Sequence, residues 1–349
     1  MNREKSFRIE ETRAGIALHF DDLALKGEHQ VESAVRQNVS PKASCCACAG
    51  RHKSKICCVS IVLLGAAVLV LHLMGYLRKP PPPPVACTGV AAGCSVFDAT
   101  NWTRALHRHT RSQHTSSAGG AVSFTAVDYA GMASDADFAA FLRALESTDV
   151  TRLNRTSQQA FFINAYNAFT VRMVIEHPCQ ASSPRWCSSI TDISENGGLK
   201  TVWKMSAGVI GGRTYTLDNI EHDTLRKQWD DARVHAALVC ASISCPDIRQ
   251  EAFELEHGTI DRALDEQMAV WLANDQKGLA VSAQPGAGAA HTVTVSKIFD
   301  WYGGDFKPSV ADVLSRHCAT IWRAAVEAAS SFEYFSYNWQ LNDWDRSAV

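Results

Sequence analysis

The chain has 349 residues, of which 46% are hydrophobic and 20% are charged. A chain of this length forms one large domain or two small ones, and this composition can fill a hydrophobic core. The formal net charge is −2 and the sequence shows no basic stripe. These features give no electrostatic support for nucleic-acid binding.

An uncharged apolar segment at residues 56–77 is long enough to cross a bilayer as a helix. Buried helices of soluble proteins rarely stay apolar on every face over such a length. The segment lies too far from Met1 to be a cleavable signal peptide, so we predict one permanent transmembrane helix. Residues 1–55 are polar and are predicted to be a largely disordered tail.

The charges on either side of this segment predict its orientation. More basic residues precede it (Lys42, Arg51, Lys53 and Lys55) than follow it (Arg78 and Lys79). The positive-inside rule therefore places the tail in the cytosol and the C-terminal domain in the lumen or outside the cell. Glycosylation sequons at Asn101 and Asn154 would then be accessible, whereas the sequon at Asn38 would stay unused.

The regions on either side of the predicted span have distinct compositions. Cysteines crowd the cytosolic side, where they are candidate palmitoylation sites: Cys45, Cys46, Cys48, Cys57 and Cys58. A zinc site is the alternative, but no second cysteine–histidine cluster at ligand spacing completes it. Residues 78–100 contain a proline run at 80–84 and are predicted to be a stiff spacer before a domain at 101–349.

The domain begins with helical patterns. Residues 134–147 have apolar side chains at helical spacing, and Thr156 with Gln159 resembles a capping box that opens a second helix. We expect this second helix to reach His177 and to stop before Pro178. Because its apolar residues surround the axis almost completely, it is predicted to be the buried centre of the domain.

Two amides interrupt this apolar helix, Asn164 and Asn167. An unpaired buried amide costs about 1–3 kcal/mol, so each must have specific partners. Two interpretations are open: the amides clamp the backbone of a loop, or they take part in catalysis.

A second polar group follows in residues 215–226. Asp218 is a candidate cap of a short helix that places His222 and Arg226 four residues apart on one face. Glu221 and Asp223 flank the histidine, where a carboxylate raises the pKa of an imidazole or orients its ring.

The segment 233–246 contains His235, Cys240 and Cys245 around a short apolar run, followed by Pro246. We interpret residues 235–239 as a buried strand and Pro246 as the first residue of a helix. Cys245 would then lie at the helix N-terminus, where unpaired N–H groups and the helix dipole favour a thiolate. The alternative is that Cys240 and Cys245 are a disulfide or two inert buried thiols.

Seven cysteines follow the predicted span: Cys87, Cys94, Cys179, Cys187, Cys240, Cys245 and Cys318. In an oxidising compartment we expect short-loop disulfides between Cys87 and Cys94 and between Cys179 and Cys187. The odd number leaves at least one thiol free or paired between chains. A reactive cysteine satisfies this count, and so does a buried inert one such as Cys318.

The rest of the domain mixes helices and strands without regular alternation. Residues 260–272 are predicted to be an amphipathic helix, 292–295 a strand, and 310–329 largely helical. We therefore predict an α+β fold, a single exported globular domain with a central buried helix and a small sheet, rather than a doubly wound sheet.

Five motifs in order over most of residues 120–345 resemble domain of unknown function 547 (DUF 547). They are Phe161-Phe-Ile-Asn-Ala-Tyr-Asn-Ala, Leu217-Asp-Asn-Ile-Glu-His, Arg233 to Pro246, Val295 to Phe306, and Tyr337-Asn-Trp-Gln-Leu-Asn. The chain has Val239-Cys240-Ala241 where the family usually has Asn-Cys-Gly, Phe162 in place of a tryptophan, and Asn338 in place of an aspartate. The resemblance implies no particular reaction, so function is argued from the site.

Two hypotheses follow. In the first, the domain is a thiol hydrolase or acyl-transfer enzyme with Cys245 as nucleophile and His235 or His222 as base. Glu221, Asn164 or Asn167 would orient the imidazole, and a backbone N–H would bind the oxyanion. In the second, it is a non-catalytic membrane-tethered module, in which a Cys240–Cys245 disulfide and a polar network have structural roles.

The sequence predicts no cofactor and no metal. His222, His235, Cys240 and Cys245 are possible zinc ligands, but their spacing matches no common site. The only predicted partner is the membrane, through one helix, and the sequence identifies neither a substrate nor a protein partner.

The predicted topology has a direct test. Protease added to sealed vesicles should remove the tail before Lys55 and spare the domain at 101–349, because only the tail faces the outside of cytosol-side-out vesicles. Detergent-opened vesicles are the control, in which the domain also becomes accessible. Digestion of the domain in sealed vesicles would reverse the orientation.

Overall fold

A computed structural model describes residues 95–117, 120–179, 186–198, 200–255, 258–283 and 291–344. The predicted tail, the span at 56–77, the proline run and the expected Cys87–Cys94 disulfide lie outside these residues. Among the residues that are described, no helix is both long and apolar enough to cross a membrane.

The helices and strands of the described part belong to a mixed α+β fold, as predicted. The helices of eight or more residues are Thr100–His109, Ala136–Ser147, Arg155–Glu176, Asp261–Leu272, Val310–His317 and Thr320–Ala328. The shorter α-helices are Tyr129–Ala133, Arg226–Trp229, Val234–Ala237 and Ile298–Trp301. A π-helix covers Asn219–Leu225, and 3₁₀ turns lie at Val150–Arg152, Ile190–Asp192, Val202–Lys204 and Gly303–Asp305.

The strands form four small sheets within the described ranges, not the single small sheet predicted. Three are antiparallel pairs: Thr110–Ser117 with Gly120–Val127, Ser194–Glu195 with Lys200–Thr201, and Gly208–Ile210 with Arg213–Tyr215. In the fourth, Leu279–Ala283 pairs antiparallel with His291–Val295, which pairs in parallel with Glu333–Tyr334.

The predicted central helix is confirmed at Arg155–Glu176, where seventeen of its residues are buried. Its cap differs from the prediction. The Asn154 side chain accepts a hydrogen bond from the Ser157 N–H at 2.8 Å, so the helix begins before Thr156. Asparagine is as good an N-cap as serine or threonine, and it stands two residues earlier.

The other predicted elements are reproduced with shifted ends. The helix predicted at 134–147 begins at Ala136 because Asp135 caps it, accepting from the Phe138 N–H. The helix at 260–272 and the strand at 292–295 each move by one residue at their start. The helical region 310–329 is two helices, since the chain is extended at Cys318.

The described residues contain two large hydrophobic clusters and a small third one made of Phe124, Ala126 and Ile243. Of the two large clusters, the larger surrounds the central helix and includes Ala237, Val239 and Ala241. The smaller contains Trp271, Phe299 and Phe306, with Trp301, Tyr302 and Tyr337 packed against it. Since Ala236 belongs to the smaller cluster and Ala237 to the larger, the segment that leads to Cys240 lies where the two cores meet.

Candidate functional site

The segment before Cys240 is not the strand that the sequence predicted. Residues Val234–Ala237 form one helical turn, and the chain becomes extended at Leu238. The Asn167 side chain accepts from the Val239 N–H at 3.0 Å and donates to the Ala237 carbonyl at 2.9 Å. These are the backbone groups that a strand would pair with a neighbour. The amide therefore takes the place of a partner strand.

Asn164 forms the same kind of clamp further along. Its Nδ2 donates to the Phe253 carbonyl at 2.7 Å, and its Oδ1 accepts from the Phe253 N–H at 2.9 Å. Asn164 and Asn167 are both buried, as expected of amides on this helix. The geometry matches the backbone-clamping interpretation, and these bonds direct Asn164 toward a loop instead of an imidazole.

The prediction that Cys245 opens a helix is wrong. Residues 243–245 form a turn, and no helix begins at Pro246. The Ser242 carbonyl accepts the Cys245 N–H at 3.2 Å, so that N–H is already bonded. Proline suits the first position of a helix but also suits turns, and the surrounding contacts favour the turn.

The C-terminal segment Tyr337–Asn342 holds this turn in place. The Gln340 and Asn338 carbonyls accept the N–H groups of Ile243 and Ser244 at 2.9 and 3.2 Å. The Asn342 N–H donates to the Ala241 carbonyl at 3.0 Å. These bonds explain why the Tyr337 motif accompanies the cysteine motif, which lies about ninety-five residues away in the chain.

A buried lysine closes the turn from the other side. Lys277 is only 2% exposed, and its Nζ donates to the Ile243 and Cys245 carbonyls at 3.2 and 2.9 Å and to Asp247 Oδ1 at 2.9 Å. A buried ammonium needs such partners because its desolvation is costly. Sequence analysis did not identify Lys277, since a lone lysine after a helix carries no local signal.

Cys240 and Cys245 are both free thiols, which confirms a free Cys245 and differs from the disulfide alternative. Their environments differ. Cys240 is partly exposed and has the Ser242 and Tyr337 hydroxyl oxygens at 3.1 and 3.2 Å from its sulfur. Cys245 is buried, its sulfur accepts the Cys240 N–H at 2.9 Å, and its S–H is directed at the Leu238 carbonyl at 3.9 Å.

These environments move the two pKa values in opposite directions. Burial alone would raise the pKa of the Cys240 thiol, but hydrogen bonds from Cys245, Ser242 and Tyr337 outweigh it and lower that pKa. Burial raises the pKa of Cys245 well above its ordinary value, and the neighbouring Cys240 raises it further. The sequence assigned the thiolate to Cys245, and the structure favours Cys240.

Tyr337 remains a hydrogen-bond donor at this site. Burial raises the pKa of its hydroxyl well above the ordinary value, and the nearby cysteines add to the shift. Its ring lies against Trp301 and Trp339, with centroid distances of 4.8 and 4.5 Å. All three rings are partly exposed, so they form an aromatic surface beside Cys240.

The predicted histidines belong to a charged cluster centred on Asp305. His235 Nε2 lies 2.8 Å from Asp305 Oδ2, and Arg226 forms a two-pronged ion pair with the same carboxylate. Arg226 also bonds His222 Nδ1. Although burial opposes it, the pairing with His235 and Arg226 holds the pKa of Asp305 far below its usual range.

His222 lies in the π-helix, and Arg226 follows it directly. Asp218 precedes Asn219–Leu225 but makes no side-chain cap, which differs from the predicted capped helix. The His222 and Arg226 side chains lie four residues apart and bond each other, as predicted for one helical face. Single π-helical turns occur frequently at functional sites.

Tyr302 packs against the charged cluster. Its ring stacks on His235 at 4.5 Å and lies 6.0 Å from that of His222. Burial raises the pKa of Tyr302 well above its ordinary value, and the charge on Glu221 raises it further.

The motifs that carry the resemblance include Tyr302, Asp305 and Tyr337. The neighbouring sequence gave no indication of which groups these three side chains would contact. They meet the cysteine segment only through the fold. Within the described ranges, no group of three or more histidine, cysteine, aspartate or glutamate side chains is arranged to hold a metal ion.

The comparisons agree with the resemblance. The family model described as "Protein of unknown function, DUF547" matches residues 150–272, which include Asn164, the π-helix and the cysteine turn. The resemblance to this family is thus confirmed over that part of the chain. No curated protein and no solved structure matches the chain.

Ala241 occupies the position where the family usually has glycine, and its φ is +57°. A side chain in this left-handed region costs about 1–2 kcal/mol, and glycine avoids that cost. Losing a buried methyl and gaining chain entropy in the unfolded state offset most of the benefit. We therefore expect Ala241→Gly to leave the free energy of unfolding within about 0.5 kcal/mol of the parent.

The matched control is Ala237→Gly, an equally buried alanine in a helical turn. It loses a methyl group without relieving strain, so it should be less stable by about 1.5–2 kcal/mol. Chemical denaturation of both variants measures the difference. Equal losses at the two positions would show that Ala241 is not strained.

Proposed function

We propose that this domain is a thiol-dependent enzyme of the hydrolase or acyl-transfer class, with Cys240 as its nucleophile. The observation that carries the proposal is the environment of the Cys240 sulfur. It is partly exposed, lies within 3.2 Å of two hydroxyl oxygens, and sits on a turn with one strained residue. Strained backbone at a fixed turn is typical of functional sites.

The reaction follows from these contacts. The Cys240 thiolate attacks the carbonyl carbon of an acyl donor, and the leaving group departs with a proton. Water or a second nucleophile then takes the acyl group and restores the thiol. The Tyr337 and Ser242 hydroxyls, which lie 3.2 and 3.1 Å from the Cys240 sulfur, are placed to donate to the oxyanion that forms beside it.

In this proposal Cys245 supports the nucleophile instead of acting as one. Its buried sulfur accepts the Cys240 N–H, and its own raised pKa keeps it protonated. His222, His235 and Glu221 border the substrate site around Tyr302, and the Asp305–Arg226 pair fixes His235 there. Asn164 and Asn167 act through the loop backbone that they clamp.

We also propose that the domain is tethered to a membrane by residues 56–77 and lies on the lumenal or extracellular side. The support is the uncharged length of that segment and the basic residues before it. The protease-protection experiment tests this part independently of the chemistry.

A non-catalytic tethered module is the second candidate. It is favoured by one observation: His235 is 4% exposed and is paired with Asp305, as a structural histidine would be. In that case the charged cluster joins the π-helix to the turn at Gly303–Asp305 and has no substrate.

Alkylation across pH separates the two candidates. On the purified full-length chain, we expect iodoacetamide to label Cys240 with a midpoint below the pH of about 8.5 for a free cysteine. Cys245 and Cys318, which are both buried, should react only after unfolding. Peptide mapping by mass spectrometry assigns each label.

The matched variants are Tyr337→Phe and Tyr334→Phe. Tyr337→Phe removes a donor to the sulfur, so the midpoint for Cys240 should rise. Tyr334 lies just before the segment Tyr337–Asn342, in the strand Glu333–Tyr334, and is 39% exposed, so its variant should leave the midpoint unchanged. A Cys240 that titrates like a free cysteine, or one that reacts after Cys245, would remove the enzyme proposal and leave the tethered module.

A further inference from the structure

We propose that Cys240 and Cys245 are a reversible redox pair, which forms an intramolecular disulfide by exchange with a low-molecular-weight disulfide such as glutathione disulfide. This inference rests on the proposed function in one respect: closing the disulfide would switch off the Cys240 nucleophile. The chemistry of the pair itself stands without it.

The geometry places the Cys245 sulfur against the residue that carries the other sulfur. The Cys245 sulfur accepts the Cys240 backbone N–H at 2.9 Å, so it lies directly beside Cys240. The intervening residues form a turn closed by the bond from the Cys245 N–H to the Ser242 carbonyl. The two cysteines are therefore held at one place in the structure, while both are free thiols.

The two thiols also differ as the members of an exchange pair must differ. Cys240 is partly exposed and its hydrogen bonds lower its pKa, so it is the sulfur that can attack an incoming disulfide. Cys245 is buried and protonated, so it is protected from the solvent and reacts only with a sulfur already attached at Cys240. Cys318 is the other free cysteine in the described part. Its S–H is directed at the Ser315 carbonyl at 4.0 Å, a contact that involves neither Cys240 nor Cys245.

The exchange proceeds in two balanced steps. The Cys240 thiolate attacks one sulfur of the small disulfide, forms a mixed disulfide, and releases the first small thiol. Cys245 then loses its proton, and its sulfur attacks the Cys240 sulfur and releases the second small thiol. The protein dithiol is oxidised by two electrons, the small disulfide is reduced to two thiols, and the two cysteine protons end on those thiols.

The backbone contacts that hold the turn are compatible with formation of the Cys240–Cys245 disulfide. Lys277 holds the Ile243 and Cys245 carbonyls, and the Asn342 N–H holds the Ala241 carbonyl. None of these hydrogen bonds involves a sulfur atom, so we expect all of them to persist when the S–S bond forms. The contacts that change are those of the sulfurs themselves. The hydroxyl contacts of Ser242 and Tyr337 to Cys240 weaken, since a disulfide sulfur is a poorer acceptor than a thiolate, and the bond from the Cys245 S–H to the Leu238 carbonyl is lost with its proton.

The experiment equilibrates the purified full-length chain in buffers with stepped ratios of reduced to oxidised glutathione. Free thiols are then blocked with N-ethylmaleimide, and the chain is digested and mapped by mass spectrometry. We expect a Cys240–Cys245 link to appear as the oxidised fraction rises and to vanish with excess dithiothreitol. The iodoacetamide labelling rate of Cys240 should fall at least about tenfold in the linked form, because no thiolate remains.

Three variants separate the roles. Cys245→Ser should trap glutathione on Cys240 as a stable mixed disulfide, since the second attack is lost, and Cys245→Ala gives the same result if serine disturbs the buried site. Cys318→Ser should leave the link unchanged. Absence of a Cys240–Cys245 link at every ratio in the parent chain, with folding verified by circular dichroism, would overturn the proposal.

The readout needs no substrate, so it is independent of acyl transfer. A link that forms in a chain without acyl-transfer chemistry would retain the redox pair and reject the enzyme. Acyl transfer at Cys240 without a link would retain the enzyme and reject the redox pair.

Discussion

The site depends on the immobilisation of one turn, Cys240 to Cys245, by groups from distant parts of the chain. Asn167 fixes the backbone that enters the turn, Asn342 and the segment before it fix the middle, and Lys277 fixes the exit. Each of these bonds satisfies a buried backbone group that would otherwise cost free energy. As a result, the two sulfurs occupy fixed and different environments, one partly exposed and one enclosed.

This difference between the environments of the two sulfurs is the basis of the chemistry that we propose for them. A cysteine becomes nucleophilic when donors stabilise its thiolate more than burial destabilises it. At Cys240 the donors prevail, with two hydroxyls and a second thiol around the sulfur. At Cys245 burial prevails, so the same turn holds one thiol of lowered pKa and one of raised pKa. Both proposals use that difference, the first to transfer an acyl group and the second to exchange a disulfide.

Local patterns in the sequence predicted the structural elements that are determined by residues within a short stretch of the chain. The central helix and its two buried amides could be predicted, because an apolar pattern on every face and an isolated polar pair are visible in a short window. The disulfide between Cys179 and Cys187 was also predicted and is present in the structure. Its short loop is a local feature as well.

The parts that were missed depend on contacts between distant residues. The helix expected after Pro246 fails because Ile243 and Ser244 bond to residues near 340, which no local window contains. The strand expected at 235–239 fails because Asn167 supplies its partner bonds. The choice between Cys240 and Cys245 required the positions of Tyr337 and Ser242 in space. The sequence thus located the cysteine segment, and the tertiary fold decided which of its thiols has the lowered pKa.

The most direct test of the central claim is capture of an acyl-enzyme on the reduced full-length chain. The chain is incubated with a simple acyl donor such as 4-nitrophenyl acetate, quenched in acid, and mapped by mass spectrometry. The account predicts one acetyl group on Cys240, absent in Cys240→Ser and retained in Cys318→Ser. Acetylation of Cys245 in its place, or no cysteine adduct on the folded chain, would contradict it.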